Sequence, residues 1–162
     1  MEITRMFIHG LDSSSRGTKG SFFREKYPGM AMEDFEGSLR DKMDKLEGLL
    51  AGKGEIILVG SSYGGLMAAL YAFAHPERIR RLILLAPALT LPEFNPAPDG
   101  ELRKPAVIYH GLHDELIPGD RLEEIARRHF RKLDFHLVDD DHSLHRTFPG
   151  LPWDRLLEYI GR

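Results

Sequence analysis

The sequence predicts an α/β protein: a single-domain, three-layer α/β/α fold on one mostly parallel sheet of about six strands. Three observations predict it. Short, almost wholly apolar runs recur along the chain, as strands covered on both faces require. Segments with helical spacing and capping signals lie between them. No repeat, low-complexity tract or domain linker divides the 162 residues, a length that suits one domain spanning 1–162. Alternating units with right-handed crossovers then give a doubly wound sheet.

The strand candidates follow in order. Residues 6–8 lead into His9-Gly10, and residues 30–32 form a shorter candidate. Residues 56–59 end at Gly60, and residues 82–85 end at Ala86-Pro87. Residues 106–109 lead into His110-Gly111, and residues 135–138 end in an acidic turn. The first helix signal is Ser38 with Asp41 three residues on, a capping-box start. Leu39, Met43, Leu46 and Leu50 then recur at helical spacing until Gly52 and Gly54. Residues 66–74 are apolar nearly all round, so their helix is expected to be deeply buried. Asp120 reads as an N-cap before an apolar face of Leu122, Ile125, Ala126 and Phe130. Pro152 opens a last helix with Leu156, Leu157 and Ile160 inward. The one long irregular stretch is 87–104, with Pro92, Pro96 and Pro98.

Composition excludes several classes of function. The chain is 42% hydrophobic and 29% charged with a net charge of −3, which leaves no electrostatic footprint for nucleic acid or an anionic membrane. Arg78-Ile79-Arg80-Arg81 and Arg127-Arg128 read as solvated ends and faces. With no cysteine, thiol catalysis, thiolate metal sites and disulfides are all ruled out. No apolar run approaches the roughly 20 residues of a membrane span, and the N-terminus has no signal-peptide pattern. A cytoplasmic location is the expectation.

The chemistry concentrates at strand ends. Gly60-Ser61-Ser62-Tyr63-Gly64 matches G-x-S-x-G, a weak pattern alone. Here it follows a strand and opens a helix, the setting of a nucleophile elbow, which makes Ser62 the candidate nucleophile. A plain glycine-rich turn is the competing account. A serine hydroxyl needs a base, and the base an orienting acid, in the chain order Ser, acid, His. Asp114 follows the strand at 106–109 in Gly111-Leu112-His113-Asp114, with Glu115 as its neighbouring alternative. His142 follows the strand at 135–138 in Asp139-Asp140-Asp141-His142, and His145 is the alternative base. All three candidates leave the same edge of one parallel sheet, where open α/β folds bind ligands. An oxyanion hole would use the Tyr63 N–H and one from the loop after the first strand, where Leu11 fits best. His9 reads as a structural residue that bonds this loop.

The combination of His9-Gly10, Gly60-Ser61-Ser62-Tyr63-Gly64, Gly111-Leu112-His113-Asp114 and Asp141-His142 resembles the α/β-hydrolase superfamily over nearly the whole chain. The compact length and His9-Gly10-Leu11-Asp12-Ser13-Ser14 are similar to the small YqiA-like esterases. The resemblance implies a Ser-Asp-His triad, no metal or organic cofactor, and hydrolysis of small or medium acyl esters. The partner is then a small-molecule ester. Typical members carry two further strands at the start, and their cap is reduced here to residues 87–104. Leu89, Leu91 and Phe94 would supply a short apolar wall in its place, or simply pack on the surface.

Other readings compete. His110-x-x-His113-Asp114 with His9 and His142 has the residue types of a metal cluster, but no H-E-x-x-H helix accompanies it. Gly48 to Lys53 is one residue short of a P-loop and sits at a helix end. A binding protein that keeps the elbow without turnover is the main non-enzyme alternative. Thioesterases and acyltransferases share the same machinery.

Overall fold

In the computed structural model, which describes residues 2–159, six strands form one sheet. They are β1 (Thr4–Ile8), β2 (Ala31–Met32), β3 (Ile56–Ser61), β4 (Ile79–Leu85), β5 (Leu102–Gly111) and β6 (Phe130–Val138). They lie in the order β2-β1-β3-β4-β5-β6, every neighbouring pair parallel. Five helices cover the faces: α1 (Thr18–Lys26), α2 (Leu39–Leu50), α3 (Tyr63–Ala74), α4 (Gly119–His129) and α5 (Trp153–Leu156).

Successive strand residues feed opposite faces, which is why the strands read as continuous apolar runs. Ile56, Leu58, Leu82, Leu84, Ala106 and Ile108 pack with side chains of α2, α3 and α4. Ile57, Val59, Ile83, Leu85, Val107 and Tyr109 pack with α1, α5 and the segment after β6. Ile56, Ile57, Leu58 and Val59 are all fully buried, each stabilising the fold by about 1.5–3 kcal/mol. β3, the strand that carries the Ser62 turn, is thus a rigid platform.

Several elements differ from the sequence expectation. α1 was not foreseen, because only Gly20 and Phe23 in it are buried and no apolar stripe marks its period. Phe23 joins a ring cluster with Phe7, Phe148 and Trp153, so distant residues make this helix. The capping box of α2 is present, Asp41 N–H donating to Ser38 Oγ and Ser38 N–H to Asp41 Oδ2. Asp120 is not the N-cap of α4: Pro118 is, its carbonyl accepting from Leu122 N–H, and Asp120 lies in the first turn. Phe130, expected on that helix face, is instead the buried first residue of β6. β5 begins at Leu102, so the irregular stretch ends sooner than expected, with a register shift before Pro105, which brings no N–H to the ladder. α5 ends at Leu156, with Leu157 buried just beyond, and Ile160 lies outside the described residues. Among the described residues no helix is long and apolar enough to cross a membrane.

Candidate active site

Ser62 stands between β3 and α3 with φ 56° and ψ −114°, a conformation that costs a non-glycine residue about 1–3 kcal/mol. The neighbouring backbone holds it there. Its N–H donates to Leu85 O at 2.9 Å, and its carbonyl accepts from Ala88 N–H at 2.9 Å and Gly65 N–H at 2.9 Å. Two of the motif glycines are required by close approach. A Cβ at Gly60 would lie 2.3 Å from Gly64 O, and one at Gly64 would lie 2.1 Å from Ile8 O.

The structure brings Ser62, His142 and Asp114 into one hydrogen-bonded line. Ser62 Oγ is 2.9 Å from His142 Nε2, and His142 Nδ1 is 2.7 Å from Asp114 Oδ2. The Asp114 side chain is fully buried. Its Oδ1 accepts the Leu116 and Ile117 N–H groups at 2.9 Å each, which leaves Oδ2 to the imidazole. That partition makes Nδ1 the donor toward the acid, so Nε2 faces the serine as an acceptor. Glu115 is exposed and makes no hydrogen bond with His142. His145 lines the same cavity but is exposed and bonds neither Ser62 nor Asp114.

The loop carrying His142 is tied down at both ends. Asp140 Oδ1 accepts Asp141 N–H at 2.8 Å, and its Oδ2 accepts Arg146 and Thr147 N–H at 3.1 and 2.9 Å. Burial draws the Asp140 carboxyl upward, but these amides outweigh it and hold it below the usual carboxylate value. The Ser143 hydroxyl and then its amide lower Asp141 in the same sense. Leu144 is buried with φ 56°, strained so that it can anchor the turn in the core. Lys19 donates to Ser143 O; burial lowers its ammonium, against the nearby Asp140 and Asp141 charges. Sequence reading passed over Asp140 and Lys19, the first because an acidic run reads as solvated surface.

A cavity of about 530 Å³ opens over Ser62 and His142. Phe7, Leu11, Ala88, Leu91, Leu116 and Ile117 form its apolar side. Of the three residues expected as an apolar wall, only Leu91 lines it: Leu89 and Phe94 are buried in the core, Phe94 against Phe73 and Phe130. Leu11 and Tyr63 both face the cavity, and among the described residues neither N–H donates to a protein acceptor. Gly10 brings the Leu11 loop against the elbow, where a Cβ would be 3.4 Å from Ser62 Cβ. His9 is buried, its Nε2 accepting Phe35 N–H at 2.9 Å and its Nδ1 donating to Gly10 O at 2.7 Å, so it braces this loop. The side chains that read as a metal cluster are engaged elsewhere: His142 bonds Ser62 and Asp114, and His110 Nε2 reaches Ile117 O at 2.9 Å. His113 pairs with Asp139 on the surface, and among the described residues no group of three or more His, Cys, Asp or Glu side chains could hold a metal.

The model of the alpha/beta hydrolase fold family matches residues 10–103, more than half of this chain, and the chain belongs to that family. The match includes the Ser62 elbow and ends before Asp114 and His142. No curated protein matches the sequence. Among solved structures, a protein of the alpha/beta hydrolase superfamily from Xanthomonas campestris pv. campestris is 26% identical with a TM-score of 0.73, over 97% of this chain and 95% of that one. Est1E from Butyrivibrio proteoclasticus, with ferulic acid bound, is 17% identical with a TM-score of 0.74, over 99% and 88%. A marine microorganism esterase is 14% identical with a TM-score of 0.73, over 97% and 95%. At these last two identities the likeness is one of fold.

Proposed function

We propose that the chain is a serine hydrolase of carboxylic esters, with Ser62 as nucleophile, His142 as base and Asp114 as orienting acid. The observation that carries the reading is the unbroken line from Asp114 through the His142 ring to the Ser62 hydroxyl at the cavity. His142 Nε2 takes the hydroxyl proton as Ser62 Oγ attacks the ester carbonyl, and Asp114 stabilises the resulting imidazolium. The N–H groups of Leu11 and Tyr63 hold the oxyanion of the tetrahedral intermediate. His142 then gives its proton to the departing alcohol, leaving an acyl-serine. Water enters, loses a proton to His142 and releases the acid by the same route. No metal or organic cofactor has a part in these steps.

The cavity falls within the roughly 300–1,000 Å³ of small-molecule sites. Its apolar side suits the acyl group of a small or medium ester, in keeping with the YqiA-like type that the first loop resembles. The esterases among the structural neighbours lend support to the ester class. A fluorophosphonate probe tests the assignment: it should label Ser62 once per active chain, and Ser62→Ala should lower ester turnover by about 10³-fold or more. Labelling at Ser61, or a folded protein that neither labels nor cleaves esters and thioesters, would overturn the reading in favour of a binding protein.

A further inference from the structure

We infer that His110 is a positioning residue for this reaction, holding the turn that presents Asp114 to His142; the inference rests on the triad reading above. His110 lies at the end of β5 and is fully buried. Its Nε2 is 2.9 Å from Ile117 O and 3.5 Å from Asp114 Oδ2. Ile117 in turn gives its N–H to Asp114 Oδ1 at 2.9 Å. His110, Ile117 and Asp114 therefore close a ring of contacts. The carbonyl of one residue is clamped by the histidine while its amide clamps the acid.

The ring proton belongs on Nε2. The other tautomer would set the Nε2 lone pair against the Ile117 carbonyl and the Asp114 carboxylate, and would leave an Nδ1–H buried without an acceptor. Nδ1 is the one buried side-chain nitrogen or oxygen without a hydrogen-bond partner among the described residues. An apolar side chain would fill a fully buried strand position without that orphaned atom, so the imidazole calls for an account beyond packing. Metal binding does not supply it, because Nε2 is committed to a carbonyl and, among the described residues, no group of three or more side chains could hold a metal. Direct catalysis does not either, since His110 neither lines the cavity nor touches Ser62. What His110 does reach is the turn from Asp114 to Ile117. With Oδ1 held by two amides of that turn, the carboxylate cannot rotate, and Oδ2 stays 2.7 Å from His142 Nδ1. Removing the Nε2 donor frees the Ile117 carbonyl and lets the acid, and through it the imidazole, drift from the serine.

Two substitutions separate positioning from packing. Glutamine carries an amide nitrogen about where Nε2 lies, whereas asparagine is one methylene shorter and ends near Nδ1. We measure kcat and KM on a neutral chromogenic ester for wild type, His110→Gln and His110→Asn, normalised to Ser62 sites titrated to completion with fluorophosphonate. We expect His110→Asn to lower kcat by about tenfold or more with KM within about threefold, and His110→Gln to keep at least about a third of the wild-type kcat. Wild-type kcat per labelled serine in His110→Asn, or an equal loss in both variants, overturns the inference even if thermal stability falls. Should His110→Asn not fold, His110→Leu removes the same donor with an apolar side chain and is read identically. A wild-type protein that fluorophosphonate does not label overturns the triad reading, and this inference with it.

Discussion

Asp140 touches no reacting group in the proposed mechanism, yet its replacement by asparagine should harm both stability and rate. Its carboxylate accepts three loop amides, one on Oδ1 and two on Oδ2. Asparagine keeps one acceptor oxygen, so it can serve the Arg146 and Thr147 amides only by turning its NH₂ against Asp141 N–H. One hydrogen bond to a charged acceptor is lost, worth about 1.5–3 kcal/mol, and the other two weaken to neutral bonds. The sum is about 3 kcal/mol. With roughly 2.1 cal/mol/K per residue over 162 residues, the unfolding entropy is about 0.34 kcal/mol/K, and Asp140→Asn should lower Tm by about 9 °C. His142 is two residues away, and a displacement of about 1 Å costs on the order of 10²-fold in rate, so kcat should fall at least about tenfold.

The pH dependence gives a second check. The Asp140 carboxyl lies below its ordinary value, drawn up by burial but held down more strongly by the loop amides. A depressed folded pKa stabilises the fold fully above the unfolded value, about 3.9, and that stabilisation is lost as pH falls through the lower folded value. The Tm gap between wild type and Asp140→Asn should therefore hold steady from about pH 7 to 5 and narrow below about 4. Thermal unfolding followed by circular dichroism, with ester kinetics on the same samples, measures both effects. A Tm change under about 2 °C, or a gap that persists undiminished to about pH 2.5, refutes the reasoning.

Three further outcomes follow from the site. His142→Ala should remove nearly all esterase activity, whereas His145→Ala, exposed and unbonded to the serine, should lose less than about tenfold; the reverse pattern in folded variants moves the base by three residues. Because every proposed step uses protein groups alone, prolonged EDTA treatment should leave activity unchanged, and loss restored by zinc or manganese would contradict the mechanism. Leu116 is 73% exposed at the cavity, so Leu116→Ser should lower the octanoate-to-acetate ratio of kcat/KM by about threefold or more, at little cost in Tm. An unchanged ratio removes Leu116 from the acyl path.

What was legible in the sequence is what a strand end encodes. Ser62, Asp114 and His142 each follow an apolar run closely, and in a parallel sheet every such exit opens on the same edge, so order along the chain becomes proximity in space. The six strands were legible for the same reason, although β5 and β6 start earlier, at the buried Leu102 and Phe130, each followed by charged residues that interrupt the apolar run. What stayed hidden depends on which groups a loop leaves unsatisfied. The acidic run before His142 reads as solvated surface, yet Asp140 is buried because three amides of its own turn need an acceptor. His110 and His113 have the spacing of metal ligands, yet one points into the fold at Ile117 and the other pairs with Asp139 outside. Leu89, Leu91 and Phe94 are alike in hydropathy, and only the path of the Pro-rich segment sends Leu91 alone to the cavity. Residue type and distance from a strand end thus identify candidates for chemistry, while the residues that hold them in place are chosen by the hydrogen-bonding demand of turns, which has no period along the chain.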